Sequence, residues 1–321
     1  MAKESNSFRF LLVASALASL VAISTQSCAL REYETGLVCV CNAKYCDYLA
    51  DPTPKEEYEF AVVSTSKAGL RFETLTGLFN LYKKYYIFDY DMDLGRVLPA
   101  STIGSVQIEI AREKRTQKIP DFSGSFQGAV SQILQQLPKA LQEHIYKSFY
   151  SQQGIGLNLL RSATTSGVGV KSSQKTAPIL GFWARGEQFA QTLLQDIEQG
   201  FNGWFDWNLV LDEEGSPNYA ENYEDAPIIA NLTSRLEFYR QPMFYSMGHF
   251  TKFLPKGSVR ISAESTNPQV STVAFLRPDQ SVAVLVINSE SAGIDLGLQD
   301  NLRGGVLFKL PPNSIHTILY K

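Results

Sequence analysis

Between residues 120 and 212 the apolar periodicity switches repeatedly between helix and strand, which limits this stretch to a parallel α/β unit. "AVSQILQQL" runs to a break at Pro138, and "KALQEHIYKSFY" follows with Leu141, Ile145 and Phe149 on one face. His144 lies beside that face, at the surface or its boundary. "GIGLNLL" reads as a short buried strand. "RSATTSGVGVKSSQKTAP" is a polar loop, broken at most by one short strand at its centre. "RGEQFAQTLLQDIEQG" is an amphipathic helix closed by Gly200, and "GWFDWNLVL" is a strand. The two flanks are β-rich. "SVQIEI" alternates Val106, Ile108 and Ile110 with polar neighbours. "STVAFLRPDQSVAVLVINS" is two strands around a Pro-Asp turn. "NSIHTILYK" alternates Ile315, Thr317 and Leu319, with His316 on the opposite face as a structural residue. The α/β middle is roughly 130 residues, whereas a closed (β/α)8 barrel takes about 250. The middle is too short to close.

The chain has 321 residues, 44% hydrophobic and 19% charged, with a net charge of -3. That is a globular composition, and without a basic field it argues against nucleic acid as partner. The local basic stretch "REKR" (Arg112 to Arg115) reads as a solvated strand end. Lys3 and Arg9 precede "FLLVASALASLVAI" and then "STQS", so residues 1–27 read as a cleaved export signal; the apolar run is too short for a spanning anchor. All four cysteines follow at once: Cys28, Cys39, Cys41 and Cys46. In an oxidising compartment this implies disulfides, and the spacing does not suit zinc. A Cys39–Cys41 bridge is strained, which leaves two connectivities open. Asn231-Leu232-Thr233 is a glycosylation acceptor suited to the same compartment. "DYDMDLG" begins like a calcium loop, but Leu94 and Ala100 stand where glycine and glutamate are required, so a polar loop is the better reading.

One segment has the composition of a sugar pocket wall, "GWFDWNLVLDEEGSPNY", residues 203 to 219. An indole face packs on the apolar face of a pyranose, and an amide can bond its hydroxyls. Trp204 and Asp206 read as structural, and Glu213 and Glu214 as a solvated turn.

"VCVCNAKYCD", "FAVVSTSKAGLRFE", "SQQGIGLNLLR", "GWFDWNLVLDEEGSPNYAENYEDAPII", "YRQPMFYSMGHFTKFLPKGSVRI" and "NSIHTILYK" together resemble the lysosomal glucosylceramidases, of the insect-like kind. The likeness is strong over 28–75 and 140–321 and weak over 76–117. It implies a (β/α)8 barrel that carries the active site, with a β-sandwich built from both chain ends. It implies hydrolysis of the β-glucosidic bond of glucosylceramide with retention, without metal or cofactor. Partners implied are a saposin-type activator and an anionic lipid surface, in the lysosomal lumen at its membrane or secreted. It also implies the bridges Cys28–Cys39 and Cys41–Cys46, and it places Trp207 and Asn222 in the glucose pocket.

The sequence departs from that family at its chemistry. Retaining glycosidases need two carboxyl groups about 5 Å apart. The family's acid/base glutamate lies in Asn-Glu-Pro, which this chain does not contain. The nucleophile segment reads "ATTSGVGVK", with Thr165 where the glutamate belongs, and a threonine hydroxyl cannot stabilise an oxocarbenium ion as a carboxylate does. The family's glucose-binding loop reads "DFSGSFQGA", with Gly128 at its aspartate position. "GIGLNLLR" resembles the first barrel strand and "ATTSGVGVK" the seventh, so strands two to six are missing. The expected organisation is a signal over 1–27, then a disulfide-linked segment with sandwich strands over 28–118. A barrel remnant over 119–255 and further sandwich strands over 256–321 complete it. The expected activity is none. A lipid- or activator-binding relative and the product of an incomplete transcript are the alternatives.

Overall fold

The computed structural model describes residues 28–49, 51–54, 56–79, 87–88, 106–119, 121–124, 128–157, 159–160, 177–201, 203–206, 208–217 and 223–321. Residues 1–27, read above as an export signal, the "DYDMDLG" stretch, Thr165, Trp207 and Asn222 lie outside them.

The N-terminal part supplies β1 (Leu30–Tyr33), β2 (Gly36–Asn42), β3 (Glu59–Ser66), β4 (Arg71–Leu78), β5 (Ile87–Phe88) and β6 (Val106–Lys118). The middle supplies β7 (Asp121–Gly124), α1 (Ala129–Gln136), α2 (Lys139–Tyr150), β8 (Leu159–Leu160), α3 (Trp183–Glu198), β9 (Gly203–Asp206), β10 (Val210–Asp212), β11 (Ile228–Ala230), β12 (Glu237–Arg240) and α4 (Pro242–Thr251). The C-terminal part supplies β13 (Val259–Ser265), β14 (Val270–Leu276), β15 (Val282–Asn288), β16 (Ile294–Asp300), β17 (Gly304–Leu310) and β18 (Ser314–Tyr320).

Strands from both flanks interleave in one ten-stranded sheet of order β4-β3-β18-β15-β14-β13-β6-β16-β17-β5. Its central strands are buried on both faces, which is why β15 is the unbroken apolar run "VAVLVIN" rather than an alternating one. The two-residue period sorts that run between two cores. Val282, Val284 and Val286 join Ile108, Leu296 and Phe308 inside the sandwich. Ala283, Leu285 and Ile287 face the other way, into the core that also holds Leu193, Phe244 and Phe250 of α3 and α4. Each fully buried side chain of this size stabilises by about 1.5–3 kcal/mol, so both cores depend on the same strand. α4 is buried along its whole length, as a helix apolar all round must be. It starts with Gln241 as N-cap and Pro242 in the first turn, where the missing N–H costs nothing.

Two smaller sheets make up the barrel part. β8, β7 and β9 lie parallel, with β7 in the centre. This is an incomplete barrel beside a β-sandwich, the fold class the sequence implies. The parallel unit starts one element earlier than the reading of "GIGLNLLR" as first strand, because Asp121–Gly124 pairs on both sides. The other small sheet, β1-β2-β12-β11-β10, joins the disulfide-linked hairpin to the middle of the chain.

The helices match their patterns. Leu141, Ile145 and Phe149 of α2 are fully buried. Gly200 follows α3 with φ 92°, its N–H bonded to the Ile197 carbonyl, the expected helix stop. Two readings need correction. "GWFDWNLVL" is two strands in different sheets, since Leu209 is buried against Gly124 and the chain crosses from β7 to β11 there. Arg112 of "REKR" is no solvated end: its Nε meets Asp300 Oδ2 at 2.8 Å, and its guanidinium lies over the Tyr320 ring.

Candidate functional site at the carboxyl edge of the parallel strands

In parallel α/β folds ligands are held beyond the carboxyl ends of the strands. Here those ends are Gly124 of β7, Leu160 of β8 and Asp206 of β9, with Asp206 paired to Gly124. On β9 the buried Trp204 meets Phe189 of α3 edge-on, ring centres 4.9 Å apart. Two residues on, Asp206 shares that outward face, which agrees with a structural reading of both.

The chain beyond β9 is held by side chains that the sequence did not single out. Asn208, directly after Trp207, donates from Nδ2 to Glu224 Oε2 at 2.5 Å. Asp225 pairs with Arg185 of α3 and accepts from the Ala226 N–H at 2.9 Å and from Gln241 Nε2 at 3.1 Å. Burial pushes the Asp225 carboxyl up from the ordinary aspartate range, and Arg185 opposes that push. Gln241 also accepts from the Gly181 N–H at 2.7 Å, so the N-cap of α4 fixes the loop that returns from the Thr165 segment. That loop is pressed against the β1–β2 turn. Thr35 Oγ1 donates to the Leu180 carbonyl at 2.5 Å, and a Cβ on Gly36 would lie 2.1 Å from the Gly181 oxygen. Only glycine fits that contact.

The acidic turn is likewise occupied. Asp212 Oδ1 accepts from the N–H groups of Glu214 at 3.0 Å and Ser216 at 2.8 Å. Glu213 is not merely solvated: its two oxygens accept from Leu232 N–H at 2.9 Å and Thr233 N–H at 3.2 Å. It thereby holds the Asn231 acceptor turn, while Asn231 Nδ2 donates to Tyr239 Oη at 2.8 Å. Glu214 is exposed. No motif marks Asn208, Glu224 or Gln241; polar residues next to Trp207 and Asn222 were the only available signal.

Both disulfides are present, Cys28–Cys39 and Cys41–Cys46, with Cα separations of 5.5 and 4.5 Å. Among the described residues the one metal-like grouping is Cys41, Cys46 and Asp47. Its sulfurs are bonded to each other, so neither offers a thiolate. His144 is half-buried, its Nδ1 2.6 Å from Tyr48 Oη, a boundary residue as expected. His316 is buried between Ser64 and Ser314 hydroxyls, each at 2.8 Å, and is structural. Among the described residues no helix is long and apolar enough to cross a membrane.

Comparison with known proteins matches residues 162–254 to the TIM-barrel domain of glycosyl hydrolase family 30 and residues 257–318 to the beta sandwich domain of the same family. The lysosomal acid glucosylceramidase of Mus musculus is 39% identical over 165 residues, 51% of this chain and 32% of the relative. Putative glucosylceramidase 3 of Caenorhabditis elegans is 42% identical over 146 residues, 45% of this chain and 28% of the relative. The chain thus spans less than a third of the length of these relatives. Among solved structures, SrfJ from Salmonella typhimurium superposes with a TM-score of 0.62 at 13% identity, covering 82% of this chain and 99% of that one. The endo-beta1,6-glucanase BT3312 gives 0.58 at 11% identity over the same shares. At these identities the likeness is one of fold.

Proposed function

We propose that this chain, whose residues 162–254 and 257–318 match the barrel and sandwich domains of glycosyl hydrolase family 30, is a non-hydrolysing relative of the glucosylceramidases that keeps part of a sugar-facing wall. The carboxyl edge of β8, β7 and β9 carries this reading. Among the described residues its strand ends bear one carboxylate, Asp206, and retaining hydrolysis needs two about 5 Å apart. The acids nearby are engaged elsewhere: Glu224 with Asn208, Asp225 with Arg185, and Asp212 and Glu213 with backbone N–H groups. Thr165 at the nucleophile position, Gly128 at the glucose-binding position and the absence of Asn-Glu-Pro support the same conclusion.

In this reading Trp207 stacks on the apolar face of a glucosyl group and Asn222 bonds its hydroxyls. The ligand is glucosylceramide or a related glycolipid, bound without cofactor. A saposin-type activator and an anionic lipid surface present it, in the lysosomal lumen or outside the cell. Residues 1–27 act as the export signal, and Asn231 carries a glycan. The sandwich strands of 28–118 and 256–321 flank the remnant of 119–255. Purified chain incubated with a fluorogenic β-glucoside at acid pH is expected to release no fluorophore above buffer. Turnover abolished by a covalent cyclitol inhibitor would overturn the reading.

A further inference from the structure

We infer that the buried cleft between Arg71 and Arg240 is a binding site for one small monovalent anion of the size and weak hydration of chloride. Four parts of the chain meet there. Asp47 and Leu49 come from the disulfide-linked segment, and Arg71 and Phe72 from β4. Ile155 comes from the turn after α2, and Arg240 and Phe244 from β12 and α4. The cleft is narrow, with room for about one atom-sized guest. Arg71 and Arg240 are only 2% and 3% exposed. Arg71 lies over the Tyr245 ring and donates from Nη1 to the Ser66 and Leu70 carbonyls at 2.6 and 2.8 Å. Its Nη2 donates to the Leu37 carbonyl at 2.9 Å. Arg240 lies over the Phe244 and Tyr48 rings. It donates from Nη1 to the Asp47 carbonyl and from Nη2 to Ser148 Oγ, both at 2.7 Å. What remains on each guanidinium is Nε, buried and without a hydrogen-bond partner among the described residues. Two such N–H groups, on residues that line one cleft, call for an acceptor.

Charge selects the guest. The cleft is walled by two guanidinium groups and one carboxylate, Asp47. Asp47 Oδ1 lies 3.2 Å from Arg240 Nη1, and Oδ2 accepts from Tyr245 Oη at 3.3 Å. Burial lowers Arg71 to about 10, which leaves it charged at neutral and acid pH. One negative charge neutralises the positive charge left over, whereas a divalent anion overshoots and is repelled by Asp47. The apolar walls, Leu49, Phe72, Ile155 and Phe244, cannot replace a tightly held water shell. That favours chloride or bromide over fluoride or sulfate. The bound anion ties the disulfide-linked segment to both the sandwich and the barrel remnant.

The test is thermal unfolding of the full chain at one pH in sodium chloride, bromide or fluoride, each at about 100 mM so that screening is equal. Chloride and bromide are expected to raise the midpoint by about 2 °C over fluoride, as a ligand bound only by the folded state does. Arg71→Lys keeps the charge but removes the Nε–H, and is expected to lose that difference. Crystals of the parent chain soaked in bromide are expected to show an anomalous peak between Arg71 and Arg240. A midpoint no higher in chloride and bromide than in fluoride overturns the site. So does a chloride effect that survives intact in Arg71→Lys. If Arg71→Lys does not fold, the bromide position in the parent chain decides alone. A peak at the two Nε atoms supports the site, and bromide bound elsewhere marks an adventitious ion only and overturns it.

Discussion

His249 Nε2 lies 2.9 Å from Thr65 Oγ1, joining α4 to the inner strand β3 of the sandwich sheet. The other ring nitrogen meets Thr317 on β18 at 2.9 Å, so the imidazole is fully enclosed between helix and sheet. On the far face of the same sheet His316 is enclosed by Ser64 and Ser314. Burial holds both imidazoles neutral: His249 falls well below its ordinary range, with His316 adding to the effect, and His316 falls to about 3. Unfolding below about pH 6.5 then takes up protons that the folded chain does not bind. The stability contributed by the neutral rings is complete above that pH and declines as pH drops toward 3, by up to about 1.4 kcal/mol per pH unit for each ring. Urea unfolding between pH 7 and pH 4 checks this. The acid-side slope should shrink in His316→Gln, which cannot take up a proton.

Asp300 is almost fully buried and receives Arg112 Nε at 2.8 Å, Tyr320 Oη at 2.9 Å and the Leu302 N–H at 2.8 Å. Asp300→Ala leaves a mostly buried guanidinium without its counter-charge and is expected to cost about 3 kcal/mol. Denaturant titration measures it. Removing Arg112 and Asp300 together for apolar residues is expected to recover much of that loss.

Gly36→Ala drives a methyl into the Gly181 carbonyl, at a backbone φ of 148° that alanine rarely adopts. Loss of the hairpin's grip should expose residues 177–182 to limited proteolysis while the sandwich stays protected. Cleavage mapped by mass spectrometry reads this directly.

Thr165→Glu puts a carboxylate where the resemblance to the glucosylceramidases places the nucleophile, but supplies no acid/base partner. The variant is expected to stay as silent on a fluorogenic β-glucoside as the parent chain. Slow formation of a glycosyl adduct, seen as a mass increase with an activated glucoside, would show that the rest of the site is in register.

Local signals carried much of the fold. The alternation of Val106, Ile108 and Ile110 and the 3.6-residue face of α2 depend only on near neighbours, and both appear where the pattern puts them. The partner of Arg112 could not be read this way, because Asp300 is 188 residues away and nothing near Arg112 announces it. The division of "GWFDWNLVL" between two sheets depends on Leu209 seating on Gly124, a tertiary contact that strand propensity cannot encode. At the site, Trp207 and Asn222 were legible only through resemblance. Asn208 and Glu224 became visible once their side chains could be measured against each other.

The placement of β18 between β3 and β15 also has a biosynthetic consequence. Ser64 and His316 touch across a separation of 252 residues, so the β3–β4 hairpin leaves the ribosome long before the strand that seals its inner edge. At ordinary elongation rates that edge stays open for roughly 10 to 50 s, a bare template for pairing with other nascent chains. Yield of soluble protein should therefore be governed by chaperone capacity during translation more than by the final free energy of the finished sheet.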